Sequence, residues 1–213
     1  NEVPDSLDAE MIDDARPVFE RREKMQLTYT VRNTHRAVGT RFSAEITAKY
    51  GMSTLNEDHV HIRLRGSAGQ SLGAFLCQGI TLEVFGDSND YVGKGLCGGK
   101  IVVRPMVSSP LVSQDNTIIG NTVLYGATAG QLYAAGQAGE RFAVRNSGAD
   151  VVVEGCGANG CEYMTGGNAV ILGPVGSNFG AGMTGGMAFI LDTKGDFEKM
   201  ANKESIVWQR LDS

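Results

Sequence analysis

Apolar and polar residues follow different patterns in the two parts of this 213-residue chain. In the first part, apolar residues alternate with polar ones over residues 27–31 and 60–64, which predicts two strands. Between them, residues 40–50 carry apolar residues at helical spacing and predict a helix. An earlier helix is predicted over residues 6–16, with a serine as its N-cap and a proline just beyond its end. Residues 1–65 therefore predict an α+β segment.

After residue 65, a short apolar strand follows a glycine at a regular interval. Of the 29 glycines, 27 lie in this second part. Gly79 and Gly98 are 19 residues apart, and the same interval recurs in the later pairs. A regular period of this kind is typical of a repeat architecture. The glycines that we predict to form the structural turns are Gly79, Gly98, Gly120, Gly139, Gly148, Gly167 and Gly186.

One interval is longer than the others. The interval from Gly98 to Gly148 amounts to two periods plus a dozen further positions. Residues 105–115 lie within this interval and contain two prolines, three serines and little periodicity. We predict that they form a surface loop inserted into an otherwise regular repeat.

A unit of about 19 residues fits one turn of a β-helix. Extended chain rises about 3.3 Å per residue, so one unit traces a closed turn of roughly 60 Å, with room for three short strands. Glycine suits the corners because it adopts positive φ without a Cβ clash. We therefore predict a mainly β protein, a single-stranded right-handed parallel β-helix over residues 66–192. Residues 1–65 are expected to cap one end, and residues 193–213 to form a tail over the other, within a single domain 1–213.

Three segments match the G-x-G-x-x-G pattern and begin at Gly93, Gly155 and Gly180. A dinucleotide site needs a strand before this motif and a helix after it, so that the helix N-terminus faces the pyrophosphate. Apolar strand residues follow all three segments here. We interpret them as corners, and we expect no cofactor-binding, metal-binding or catalytic residue in this domain.

Composition and charge argue against several classes of function. The formal net charge is −5, which argues against nucleic acid as a partner. No apolar run is long enough to span a membrane, and no secretory signal is recognisable, so we expect a cytoplasmic protein. Four cysteines lack metal-ligand spacing and predict buried free thiols. His59 and His61 share one side of a predicted strand, without a third ligand for a metal.

A small basic cluster is the one candidate docking site that the sequence offers. It consists of Arg32, His35, Arg36 and Arg41. Such a cluster suits an anion, contact with another protein surface, or plain solvation. We predict interdomain docking at this cluster.

Three runs in order, residues 33–41, 66–75 and 86–96, carry a specific resemblance to a known family. With them the chain resembles the C-terminal domain of the glutamate synthase large subunit, which is named for its G-x-G-x-G repeats. The resemblance extends from about residue 5 to about residue 210. In that family the whole enzyme converts glutamine and 2-oxoglutarate into two glutamates, with electrons from a small reductase subunit or from ferredoxin. FMN and an iron–sulfur cluster belong to other domains. The resemblance implies a non-catalytic scaffold that contacts the glutaminase and FMN-barrel domains.

Two alternatives remain open at the level of sequence. One is a stand-alone β-helix subunit of a redox complex related to formylmethanofuran dehydrogenase, whose repeats are similar. The other is a β-helix carbohydrate-active enzyme, which would require stacked acidic or basic side chains along one face.

Overall fold

Alternation of apolar and polar residues, repeated at an almost constant interval, gives this chain a stack of parallel strands. The computed structural model describes residues 5–211. The helices are α1 (Leu7–Asp14), α2 (Arg16–Arg21), α3 (Thr40–Tyr50) and α4 (Phe197–Met200). The strands are β1 (Met25–Val31), β2 (Val60–Ala68), β3 (Ile80–Ser88), β4 (Cys97–Arg104), β5 (Thr117–Ile119), β6 (Ala129–Ala134), β7 (Gln137–Ala138), β8 (Ser147–Val153), β9 (Thr165–Ile171) and β10 (Gly185–Ile190).

Eight strands form one parallel sheet in the order β1-β2-β3-β4-β6-β8-β9-β10, so that almost every strand pairs with the strand one turn later. A second pair, β5 and β7, is also parallel. Together they make a β-solenoid of about seven turns, which confirms the predicted mainly β, parallel fold. The ladder begins at β1, which pairs with β2. The first strand pair therefore lies ahead of the predicted start of the repeats at residue 66.

The turns are not all equally long. In register, Leu82 pairs with Ile101, which lies one regular period further along the chain. Ile101 then pairs with Leu132 across a much longer turn, because residues 105–116 lie outside the strands. Val151 pairs with Ala169 across a turn that is slightly shorter than the regular period, and a register shift between Ser147 and Asp150 absorbs the difference.

Inward-facing side chains stack from turn to turn into continuous apolar rows. One row runs through the whole sheet as Leu27, Ile62, Leu82, Ile101, Leu132, Val151, Ala169 and Ala188. Neighbouring strands lie about 4.8 Å apart, so each side chain contacts the one above and the one below. A single hydrophobic cluster of buried residues extends from Met11 in α1 to Phe179 in the last turn. This interior is therefore one continuous apolar core that runs the length of the solenoid.

The corner that precedes each new strand has an unusual backbone. Tyr91, Gly93 and Gly95 all have positive φ, between 63° and 67°, at every second position. The N–H of Gly93 donates to the carbonyl of Leu72 in the preceding turn (2.9 Å). The N–H of Gly95 donates to the carbonyl of Tyr125 in the following turn (2.8 Å). The corner is thereby hydrogen-bonded to both neighbouring turns.

The hydrogen bond from the middle residue of this corner (Gly93) to the preceding turn recurs in six successive turns. In each case a residue with positive φ donates its N–H to the preceding turn, over 2.7–2.9 Å. The donor residues are Gly73, Gly93, Leu124, Ala143, Cys161 and Gly180. Three of them are not glycine, although positive φ costs an ordinary residue about 1–2 kcal/mol. The geometry of the bond across the turns is therefore kept where the residue type varies.

Helices α1, α2 and α3 pack at the first turn. The buried carboxylate of Asp8 accepts hydrogen bonds from the backbone N–H groups of Gly39 and Phe42, both at 2.9 Å, and so caps the start of α3. Helix α3 covers the predicted residues 40–50. The earlier helix differs from the prediction, because it ends at Asp14 and a second helix begins at Arg16. Pro17 occupies the first turn of that second helix, where a missing N–H costs nothing.

The tail packs on the last corner of the solenoid. The ring of Phe197 contacts the rings of Phe179 and Trp208 edge-on, at centroid distances of 5.6 and 5.7 Å. The N–H of Asn202 donates to the carbonyl of Phe179 (2.8 Å). Strand β10, in contrast, pairs on one side only within the described residues. None of the described helices has the length and apolarity needed to cross a membrane.

Stability should depend on the inward row. We expect Leu82→Ala to lower the free energy of unfolding of the 213-residue chain by about 2–5 kcal/mol, since this leucine is fully buried between Ile62 and Ile101. Urea denaturation followed by circular dichroism measures the change. Replacing Arg65, which is exposed on the same sheet, by alanine is the control and should change stability by less than about 0.5 kcal/mol. Equal losses for both variants would contradict the assigned core.

Alanine substitutions at two glycines distinguish the cost of a steric clash from the cost of backbone strain. A Cβ at Gly148 would lie 2.1 Å from the carbonyl oxygen of Thr128, whereas a Cβ at Gly126 would meet nothing within 4 Å, although Gly126 has φ +66°. We expect Gly148→Ala to cost more than Gly126→Ala, whose cost should be about 1–2 kcal/mol. Thermal unfolding of both variants provides the comparison. A larger loss for Gly126→Ala would show that the turns are not packed as closely as described.

Candidate docking surfaces

The outward face of the eight-stranded sheet changes from charged to apolar along the solenoid. In register, its central outward row is Thr28, Arg63, Glu83, Val102, Tyr133, Val152, Val170 and Phe189. We call this row and its two flanking outward rows the sheet face. From β4 onward, every residue of the central row is apolar or aromatic.

Ion pairs occupy the half of the sheet face nearest the N-terminus. The largely buried carboxylate of Glu83 lies 3.0 Å from His61 Nε2, 3.0 Å from an Arg104 guanidinium nitrogen and 3.5 Å from Arg63 Nε. The Arg104 guanidinium also stacks over the Phe85 ring, 4.5 Å from its centroid. Arg65 is exposed and forms no ion pair within residues 5–211. This half is therefore basic, although the whole chain carries a net charge of −5.

Exposed apolar side chains dominate the other half of the sheet face. Each is more than a third exposed, and they come from β6 and β10 and from the residues that directly follow β9 and β10: Tyr133, Leu172, Met187, Phe189 and Leu191. Val152 and Val170 fill the space between them and are half-buried. Scattered exposed apolar residues are normal on a protein surface, but an aligned group across adjacent turns is typical of an interaction site.

One flanking row of the sheet face, on the side where the strands begin, is mostly polar, and glycines replace larger residues next to it. It contains Lys100, Gln131, Asp150 and Asn168 in register and ends at Met187. Lys100 Nζ lies 2.9 Å from the carboxylate of Asp58, and a hydrogen bond from Thr81 together with this lysine lowers the pKa of Asp58. Asn168 donates its amide N–H to Asp150 (2.8 Å). Lys100 and Gln131 separate the carboxylates of Asp58 and Asp150. This arrangement does not favour the stacked acidic row expected of a carbohydrate-active enzyme.

The predicted basic cluster lies at the corner of the first turn. Arg32, Arg36 and Arg41 are exposed, and His35 is half-buried. His35 Nδ1 accepts a hydrogen bond from the backbone N–H of Arg32 (3.2 Å), and Arg41 lies 3.7 Å from Asp5. Arg32, His35 and Arg36 lie between β1 and α3, whereas Arg41 lies in the first turn of α3. Docking at this cluster stays a prediction.

The predicted turn glycines have two different structural roles. Gly79, Gly98, Gly167 and Gly186 have positive φ, as the prediction of glycine corners requires. Gly120, Gly139 and Gly148 are not among the residues with positive φ, and they allow close approach of a neighbouring turn instead. Positive φ as the common reason for these glycines is therefore wrong. The recurring positive-φ corners were missed because many are occupied by residues such as Tyr91 and Arg141.

None of the three G-x-G-x-x-G segments precedes a helix. They are followed by β4, by a turn that leads into β9, and by β10. The interpretation of these segments as corners fits Gly93-x-Gly95 and Gly180-x-Gly182, where both glycines have positive φ.

The four thiol groups lie in two separate parts of the solenoid. Cys77 and Cys97 are paired across adjacent turns, while Cys156 and Cys161 are buried in a later turn. Burial raises the pKa of Cys156 to about 12 and raises the pKa of Cys161 as well. A thiol with a raised pKa is a weak nucleophile at neutral pH. Among the described residues, no group of three His, Cys, Asp or Glu side chains is placed to hold a metal ion.

Sequence reasoning missed the sheet face. Its signal is present, because outward strand positions change from charged to apolar between β3 and β6. Recognising it requires the register of every turn, and turns both shorter and longer than the regular period displace that register from a strict repeat.

Comparison with known proteins identifies relatives of the whole chain. The GXGXG motif family matches residues 8–213. The glutamate synthase (NADPH) large chain of Azospirillum brasilense is 69% identical over 212 residues, which cover 100% of this chain and 14% of the relative. The corresponding large chain of Bacillus subtilis is 49% identical over 215 residues, with coverage of 100% and 14%. Ferredoxin-dependent glutamate synthase 2 of Synechocystis sp. is 55% identical over 184 residues, with coverage of 86% and 12%.

This chain thus spans about one seventh of the length of the large chains that it matches. The three sequence runs and the stacked glycine corners agree with these matches. The chain belongs to the GXGXG motif family, in the form that occurs in glutamate synthase large chains.

Proposed function

We propose that this chain is the β-solenoid domain of a glutamate synthase large chain and serves as a non-catalytic scaffold between its other domains. The observation that carries the proposal is the filled interior. Inward rows of aliphatic side chains run from the first turn to the last, so packed side chains fill the space along the solenoid axis. A rigid rod of this kind can set the distance and orientation of domains that lie along it.

The ionisable groups on the sheet face support the same role. The carboxylate of Glu83 forms ion pairs with Arg63 and Arg104, and that of Asp58 with Lys100. Groups committed to ion pairs stabilise a surface, whereas general acids and bases need a pKa near the working pH and access to substrate.

The activity of the whole enzyme is part of the proposal. It would convert glutamine, 2-oxoglutarate and a reductant into two glutamates, in the cytoplasm. FMN and an iron–sulfur cluster would be held by other domains, and the solenoid would contact the glutaminase and FMN-barrel domains. Relatives are named for NADPH, NADH and ferredoxin, so the reductant source differs within the family. The proposal also treats residues 1–213 as a single domain, in which residues 1–65 form the cap, residues 66–192 the repeats and residues 193–213 the tail.

The isolated chain provides the first test. Purified residues 1–213 should hydrolyse no glutamine, form no glutamate from 2-oxoglutarate and show no visible flavin absorbance. The complete large chain, assayed in parallel with a reductant, is the positive control. Stoichiometric flavin or turnover in the isolated chain would refute the scaffold proposal.

A destabilised solenoid inside the complete large chain provides the second test. Leu82→Ala should leave kcat unchanged at low temperature, because no group near the substrates has changed. It should lower the temperature of thermal inactivation by about 2–4 °C for each kcal/mol of stability lost from this domain. Lys49→Ala, at an exposed position of α3 away from the sheet, is the matched variant at the surface and should leave that temperature unchanged. A fall in kcat for Leu82→Ala without any change in thermal inactivation would contradict a structural role.

A further inference from the structure

We propose that the sheet face is the surface on which another domain of the same large chain docks, and that this partner surface is apolar opposite β6–β10 and acidic opposite β2–β4. The inference rests on the scaffold proposal and adds the face and the chemistry of the partner. It assigns docking to a surface other than the basic cluster at the first corner.

The exposed apolar side chains in one half of the sheet face indicate that another surface binds there. An aligned group of exposed apolar side chains on adjacent turns is typical of an interaction site. The inner face of this sheet packs on the solenoid core, but the outer face exposes Met187, Leu172 and Leu191 about halfway. These side chains are held in register by the backbone ladder, so they form a preformed apolar surface that loses little side-chain entropy on contact.

The arginines of the sheet face indicate the second feature of the partner surface, which is negative charge. Arg63, Arg65 and Arg104 stand on the outward rows of β2 and β4, and Glu83 is the carboxylate among them. Arg65 is exposed without an ion pair in the described part of the chain. Asp87, two outward positions beyond Glu83 on β3, lies at the margin of this group. A partner surface with carboxylates here would form charge-assisted hydrogen bonds with planar guanidinium groups.

The same charge pattern argues against a second copy of this chain as the occupant. A two-fold axis along the solenoid would place arginine against arginine. A two-fold axis across the solenoid would place Arg63, Arg65 and Arg104 against the apolar half of the other copy, where Asp150 already accepts a hydrogen bond from Asn168, and would leave most of these charges unpaired. Neither arrangement satisfies both halves of the face, so a different surface is required.

A different surface is available in the large chains of the family. This chain spans 14% of the length of its Azospirillum brasilense relative, and the remainder of that polypeptide is covalently attached. Covalent attachment gives other domains an effective concentration in the millimolar range for a short linker, which favours docking on a moderately sized surface.

Hydroxyl-radical footprinting of the complete native large chain, read by mass spectrometry, tests the assignment. The chain offers matched pairs of exposed residues on and off the sheet face. Tyr133 (38% exposed) pairs with Tyr125 (40%), and Met187 (56%) pairs with Met52 (52%). The rate for each residue is compared with its own rate in the urea-unfolded chain, and the residues off the face verify the radical dose.

The expected result is that Tyr133 and Met187 are oxidised at least about tenfold more slowly in the native chain than in the unfolded chain, as for a surface exposed less than a tenth of the time. This protection should persist when the complete chain is diluted. Native rates for Tyr133 and Met187 near the unfolded rates would overturn the proposal. Protection that disappears on dilution would also overturn it, since the cover would then be a second copy.

Charge reversal tests the acidic partner. Arg65→Glu in the complete large chain should increase oxidation of Tyr133 severalfold, whereas Arg36→Glu in the basic cluster should leave it unchanged. The opposite pattern would overturn the assignment of the sheet face in favour of the cluster. None of these results depends on turnover by the isolated chain, so failure of this inference and failure of the scaffold proposal are distinguishable.

Discussion

The whole architecture depends on one repeated hydrogen bond, from a corner N–H with positive φ to the carbonyl of the preceding turn. It recurs from Gly73 to Gly180 within a narrow range of distances. Because this bond fixes the height of every turn at its corner, the strands that follow lie in register. The inward rows, the paired outward charges and the apolar half of the sheet face are all consequences of that register.

The corner bond also explains which parts of the fold could be predicted from sequence. Glycine spacing predicts the turn length and the parallel stack, because Gly79 and Gly98, like Gly167 and Gly186, have positive φ one regular period apart. Spacing did not identify Leu124 or Cys161 as corner residues, since bonds to both neighbouring turns outweigh the cost of positive φ there. The split between α1 and α2 was missed for a simpler reason. Pro17 was taken to end a helix, whereas it lies in the first turn of the next one.

The sheet face was out of reach for a physical reason as well. Glu83, Val102 and Tyr133 are neighbours in space, but a complete turn of the solenoid separates each from the next in sequence, and the second of these turns also contains the inserted loop. Only the paired backbone brings them into one row. The same constraint that builds the core therefore arranges a basic surface beside an apolar one, without any change to the interior.

Native-state hydrogen exchange at the corner amides tests the central claim most directly. If the corner bonds hold the stack together, the N–H groups of Gly93, Leu124, Ala143 and Cys161 should exchange only through cooperative opening, with a free energy close to that of the core strands. Corner amides that exchange as fast as those of the loop at residues 105–116, while the strands remain protected, would contradict the account.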